Sequence, residues 1–179
     1  MAKSYNMIIA GFGGQGVLFT GKVIAYAGLI DGREVSWLPS YGPEMRGGTA
    51  SCYVCISDET IGSPLVTQPD VLIAMNAPSF DKFVGTVAPG GKIIVDSSMV
   101  KDISTKRDDI EIYGIPASQL SADEHLEGIA NIILLGKALG ESEFASFETI
   151  EKSIHKCVPA SKSHLIEHNL RAIKLGMSN

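Results

Sequence analysis

The stretch Tyr5-Asn6-Met7-Ile8-Ile9-Ala10-Gly11-Phe12-Gly13-Gly14-Gln15-Gly16-Val17 decides the fold. Tyr5 to Ala10 is a short apolar run that reads as a buried strand, and glycines follow at once. From Val17 to Ile30, apolar residues at 17, 23, 24, 27 and 30 recur at helical spacing. The segment is therefore strand, tight turn, helix. Gly11, Gly13 and Gly16 satisfy the Gly-x-Gly-x-x-Gly spacing in that context, which lets the helix pack close to the strand and presents backbone N–H groups to an anion. Glycines needed only for tight strand–helix packing give the same spacing, so both readings stand here. Gln15 places a polar amide in the turn, suited to orienting a ligand or a partner loop.

Outward from this unit, Glu34 to Leu38 reads as a second strand after the Asp31-Gly32 break, and a helix between two strands predicts a right-handed parallel crossover. A second glycine-rich segment follows: Ser40-Tyr41-Gly42-Pro43-Glu44-Met45-Arg46-Gly47-Gly48. It concentrates an aromatic, an acid and a base among turn formers, just beyond the carboxyl end of a strand, where open α/β sheets place ligands and contacts. Arg46 suits bidentate binding of a phosphate or carboxylate, and an internal Glu44–Arg46 pair is the alternative. Thr49 to Ser57 alternates, turns at Asp58-Glu59 and is expected to return through Thr60 to Val66 as a hairpin forming an antiparallel edge. Strands follow at 70–75, 92–96 and 110–115, with a helix at 79–87. After Pro116 the pattern turns helical at 126–139, 144–157 and 164–175. The expectation is one α/β domain over residues 1–179: a Rossmann-like, mostly parallel mixed sheet with flanking helices and a helical C-terminal third.

Several chemistries lack their residues. A stand-alone dinucleotide oxidoreductase wants an acid ending the second strand, yet that strand runs into Pro39-Ser40. A P-loop reading of Gly16, Gly21 and Lys22 fails at Val23, where magnesium needs a hydroxyl, and it falls inside the helix. Cys52 and Cys55 form a CxxC spacing, but on a strand a separation of three sends the thiols to opposite faces, and Cys157 completes no second pair. His164 and His168 share a helix face without supporting ligands. No catalytic or metal-ligating set emerges. The net charge of −5 and the absence of a basic stripe argue against nucleic acid. No apolar run suits a membrane span, and three cysteines suit a reducing, cytoplasmic setting.

The two glycine segments together resemble those of the gamma subunit of 2-oxoacid:ferredoxin oxidoreductases. The likeness rests on Gly11-Phe12-Gly13-Gly14-Gln15-Gly16, Tyr41-Gly42-Pro43-Glu44 and Arg46-Gly47-Gly48, and continues through Ile56-Ser57-Asp58 and Ile61-Gly62-Ser63-Pro64. Met45 and Thr49-Ala50 make Ser40 to Ser51 most similar to the 2-oxoglutarate type. The resemblance implies a non-autonomous subunit, working with alpha and beta subunits and a ferredoxin or ferredoxin-like subunit. Thiamine diphosphate, Mg2+ and [4Fe-4S] clusters are expected in those partners, with coenzyme A as co-substrate. It further implies that Gly11, Gly13, Gly14, Gln15, Gly16, Tyr41, Gly42, Pro43, Glu44, Arg46, Gly47 and Gly48 serve cofactor binding or a subunit interface. Without its partners the chain is expected to be inactive and to self-associate through its docking face.

Overall fold

A computed structural model describes residues 3–40 and 49–179. Residues 41–48, which contain Tyr41, Gly42, Pro43, Glu44, Arg46, Gly47 and Gly48, lie outside the described residues. The strands are β1 (Ser4–Phe12), β2 (Glu34–Ser40), β3 (Thr49–Ser57), β4 (Val71–Ala74), β5 (Lys92–Asp96) and β6 (Glu111–Ile115). The helices are α1 (Val17–Ile30), α2 (Ala77–Phe83), α3 (Ala117–Asp123), α4 (Ala130–Ser142), α5 (Phe147–Cys157) and α6 (Leu165–Ser178). The sheet order is β2-β3-β1-β4-β5-β6. β1, β4, β5 and β6 pair in parallel, whereas β3 pairs antiparallel with both β1 and β2. The expected mixed, mostly parallel α/β sheet is the one observed.

The left half of the sheet corrects the expected connectivity. β1 and β2 run the same way, as a βαβ crossover requires, but β3 is inserted between them, with Phe12 opposite Thr49 and Ser40 opposite Ser51. Burial explains the order. β3 buries Cys52, Val54 and Ile56 on one face and Cys55 on the other, while β2 leaves Trp37 and Leu38 more than a third exposed. The more apolar strand takes the interior, and the strand carrying Pro39 takes the edge, where a missing N–H costs least. Residues 60–66 form no return strand. Both edges of β3 are already paired, and Gly62 and Pro64 suit no ladder, so the segment joins no strand; it buries Val66 in the core and packs Ile61 against it.

Two apolar cores lie on opposite faces of the sheet. Alternate residues Met7, Ile9, Ile73 and Ile94 meet α1, α4, α5 and α6, whereas Ile8, Leu72, Ile93 and Val95 meet Phe80 and Phe83 of α2. α2 starts at Ala77 rather than 79, because the Asn76 side chain accepts from Ser79 N at 2.9 Å and caps it, with Pro78 in the first turn. α3 was not expected from the sequence; it is too short for an apolar period to register. α4 is buried nearly all round between the sheet and α6. Cβ atoms added at Gly136 or Gly176 would collide with the backbone carbonyls of Ile173 and Ile133, so these glycines set the α4–α6 approach. α5 packs on α1, where Ser153 Oγ donates to Val23 O at 2.6 Å and Thr149 Oγ1 to Asp31 at 2.7 Å.

Candidate functional site

The connection from β1 to β2 moves one way along the sheet and the chain from β4 to β6 moves the other, so strand order reverses between β1 and β4. Open α/β sheets bind ligands in the crevice at this point, outside the carboxyl ends of the strands. A cleft of ≈ 340 Å³ occupies it, bordered by Gly14, Gln15, Met75, Asp96, Ser118 and Asn131. A second cleft of ≈ 270 Å³ lies on the other side of the glycine loop, against Gly13, Leu18, Phe19 and Ala50.

The loop is held by its own chain. Gln15 Oε1 accepts from Phe12 N at 2.6 Å and from Asn76 Nδ2 at 2.9 Å, while Gln15 Nε2 donates to Met75 O at 3.3 Å. Asn76 is 1% exposed and also caps α2, so one amide pair ties the β1 turn to the start of α2. Gln15 thus bonds to the β4–α2 junction of its own chain. Gly11 ends up buried within β1, where a Cβ would sit 2.9 Å from Gln15 Oε1. Gly16 adopts φ +78° at the N-cap of α1, and a Cβ there would strike the Asn131 amide. Asn131 Nδ2 donates to Gly16 O at 3.3 Å and Thr20 Oγ1 at 3.0 Å, locking α4 to the loop. Gly13 and Gly14 are exposed, and Gly14 has φ +93° with open space around the Cβ position. Close packing therefore explains Gly11 and Gly16, while Gly13 and Gly14 face the clefts.

Asp96 and Asn131 escaped the sequence reading. Asp96 is 2% exposed at the end of β5; Oδ1 accepts from Ser98 N at 3.0 Å, and Oδ2 from Ser118 N at 3.1 Å and Ser118 Oγ at 2.5 Å. It serves the N-terminus of α3 from another element. An acid closing an apolar strand before two serines was the available signal. Asn131 was marked only as the polar residue opening an apolar helix.

Ser40 and Thr49 flank the second glycine segment. Ser40 and Thr49 stand at the same end of the sheet as Phe12, so both glycine segments spring from one edge. β2 ends in Pro39-Ser40, without the ribose-binding acid. Lys22 lies within α1, its Nζ 5.8 Å from the Tyr26 ring centre. Cys52 and Cys55 contribute to different cores on opposite faces of the sheet, as strand geometry demands. Burial pushes the Cys52 thiol up to about 12 and raises Cys55 and Cys157 above their ordinary range. Buried thiols of that kind are inert. Among the described residues, no three His, Cys, Asp or Glu side chains gather as a metal-ligating set, and all four histidines are exposed. No described helix is long and apolar enough to cross a membrane.

Fold and cleft together define an open α/β protein of the doubly wound class, with a glycine turn at its switch point. Residues 6–179 match the family described as pyruvate ferredoxin/flavodoxin oxidoreductase, and the chain belongs to that family. It is 42% identical over 168 residues to the ketoisovalerate oxidoreductase subunit VorA of Methanothermobacter thermautotrophicus, covering 94% of this chain but 35% of that protein. It is 35% identical to the 2-oxoglutarate synthase subunit KorC of Methanocaldococcus jannaschii, covering 94% of this chain and 89% of KorC. The chain thus spans about a third of the VorA relatives and nearly all of KorC. The keto/oxoacid ferredoxin oxidoreductase gamma subunit of Geobacter sulfurreducens superposes with a TM-score of 0.82 at 30% identity, over 97% of this chain and 96% of that one. The 2-oxoglutarate:ferredoxin oxidoreductase of Magnetococcus marinus, with 2-oxoglutarate, coenzyme A and succinyl-CoA bound, gives 0.86 at 25% identity over 98% of this chain and 31% of its own.

Proposed function

We propose that this chain is the gamma component of a multi-subunit 2-oxoacid:ferredoxin oxidoreductase and is inactive without its partners. In that assembly a 2-oxoacid is decarboxylated on thiamine diphosphate in the alpha and beta subunits. Electrons leave singly through [4Fe-4S] clusters to ferredoxin, and the acyl group passes to coenzyme A. The family match over residues 6–179 carries this reading. The gamma chain's contribution is structural, together with the coenzyme A approach past the exposed Gly14 at the switch-point cleft and Gly13 at the cleft beside it, at the end of the sheet where Ser40 and Thr49 stand.

For the substrate we propose 2-oxoglutarate, on the residues of Ser40 to Ser51. A branched-chain 2-oxoacid is the second reading, favoured by the higher identity to VorA than to KorC. An anaerobic pull-down of the tagged chain from its host tests both. The eluate is assayed for coenzyme A-dependent viologen reduction with 2-oxoglutarate, pyruvate and 2-oxoisovalerate. Larger co-purifying subunits with activity on one acid support the proposal and name the substrate; a homo-oligomer or monomer without activity removes it. Within the active complex, Arg46→Ala is expected to raise the KM for coenzyme A about tenfold, with little change in that for the 2-oxoacid. Equal KM values for wild type and variant would leave the loop a docking element only.

A further inference from the structure

Three helices begin at the rim of one cavity. Gly16 caps α1, Ile129 caps α4 and Leu165 opens α6, and all three residues line a hollow of ≈ 440 Å³. None of these helices has a side-chain cap, although each is at least 13 residues long. The other N-termini are served: α2 by Asn76, α5 by Ser146, and α3 by Asp96. Unserved N–H groups and aligned peptide dipoles from three helices make the hollow positive.

Side chains point to a ligand independently. Lys22 and Lys162 line the cavity, no carboxylate among the described residues does, and neither lysine is ion-paired among them. Asn169, 3% exposed, also lines it; its Nδ2 donates to Leu165 O at 2.7 Å, but its buried Oδ1 has no partner. A buried amide oxygen without a donor is costly, and Asn169 carries one in the wall of this cavity. Apolar walls from α1 and the end of α5 complete the hollow.

We propose that this cavity is a phosphate-binding site whose ligand also brings an N–H or O–H group to Asn169. The phosphate sits between the Lys22 and Lys162 ammonium groups at the open helix starts. The inference rests on the isolated chain's geometry, so it survives or fails separately from the oxidoreductase reading.

Calorimetric titration of the purified full chain with inorganic pyrophosphate, ADP and coenzyme A tests it. Wild type is expected to bind at least one of them saturably at millimolar or lower concentration. The Lys22→Gln, Lys162→Gln double variant is expected to bind tenfold or more weakly with an unchanged melting temperature. Asn169→Leu is expected to weaken ADP or coenzyme A, which carry donors, more than pyrophosphate. Coenzyme A binding without ADP binding assigns the ligand to the former, and equal binding assigns a nucleoside diphosphate. If the double variant does not fold, Lys162→Glu on the exposed surface gives the same reading. No saturable binding of any probe, or equal affinity in wild type and lysine variants, overturns the proposal.

Discussion

At the residue scale, Gly16 and Cys52 give the sharpest expectations. Gly16→Ala sets a Cβ against the Asn131 amide at φ +78°, so it should cost about 2–3 kcal/mol in denaturant unfolding, summing left-handed strain and a broken polar contact. Gly62→Ala, with open space at its Cβ position, is the control and should change stability little. The glycine spacing in the sequence showed that a turn was there but not which glycines packing requires; only the approach of residue 131, distant in sequence, distinguishes Gly16 from Gly14. Cys52 makes a pH prediction. Its thiol ionises near 9.0 when unfolded and about 12 when folded, so the native state holds a proton that the unfolded state has lost between those values. Stability from this group is full below pH 9 and falls as pH rises towards 12, at up to about 1.4 kcal/mol per pH unit. Urea titrations at pH 8, 9 and 10 should show that decline, reduced in Cys52→Ala. In native protein none of the three buried thiols should react with a thiol reagent at pH 7, and all should after unfolding.

At the element scale, the α4–α6 contact reverses an ordinary rule. Alanine for glycine inside an exposed helix stabilises by about 1 kcal/mol. Gly176→Ala should instead destabilise by about 1–3 kcal/mol, because its Cβ meets the Ile133 carbonyl and the helices must part. Thermal unfolding of Gly136→Ala and Gly176→Ala checks this, with both expected below wild type. Elements with a clear apolar period were legible: α1 was read with its observed bounds, as was β5. What failed was neighbour order. The alternation of residues 49–57 identified a strand, but a strand buried on both faces needs a place inside the sheet, and only the relative exposure of Trp37 and Leu38 on β2 reveals which strand yields. The acid closing β5 was visible in the sequence, but not that it caps α3, whose serine lies 22 residues further on. Asp96→Asn should cost about 1–2 kcal/mol and loosen α3, visible as faster amide exchange at residues 117–123.

At the scale of the whole molecule, coverage is lopsided. α1, α4, α5 and α6 gather on one face of the sheet, while α2 and connecting segments serve the other. The clefts around the glycine turn and the three-helix cavity are nonetheless neighbours, since Gly14 borders the first two, and Gly128 and Asn131 border the first and the cavity. The insertion of β3 also dictates a schedule for synthesis. β2 hydrogen-bonds to β3 and not to β1, so when the ribosome has released residues 1–40 the second strand has no ladder to join. Only after Ser57 emerges can the edge strand zip into place, bringing Ser40 opposite Ser51. A nascent chain arrested before residue 57 should therefore leave β2 open to protease, and one arrested with β3 fully outside the exit tunnel should not.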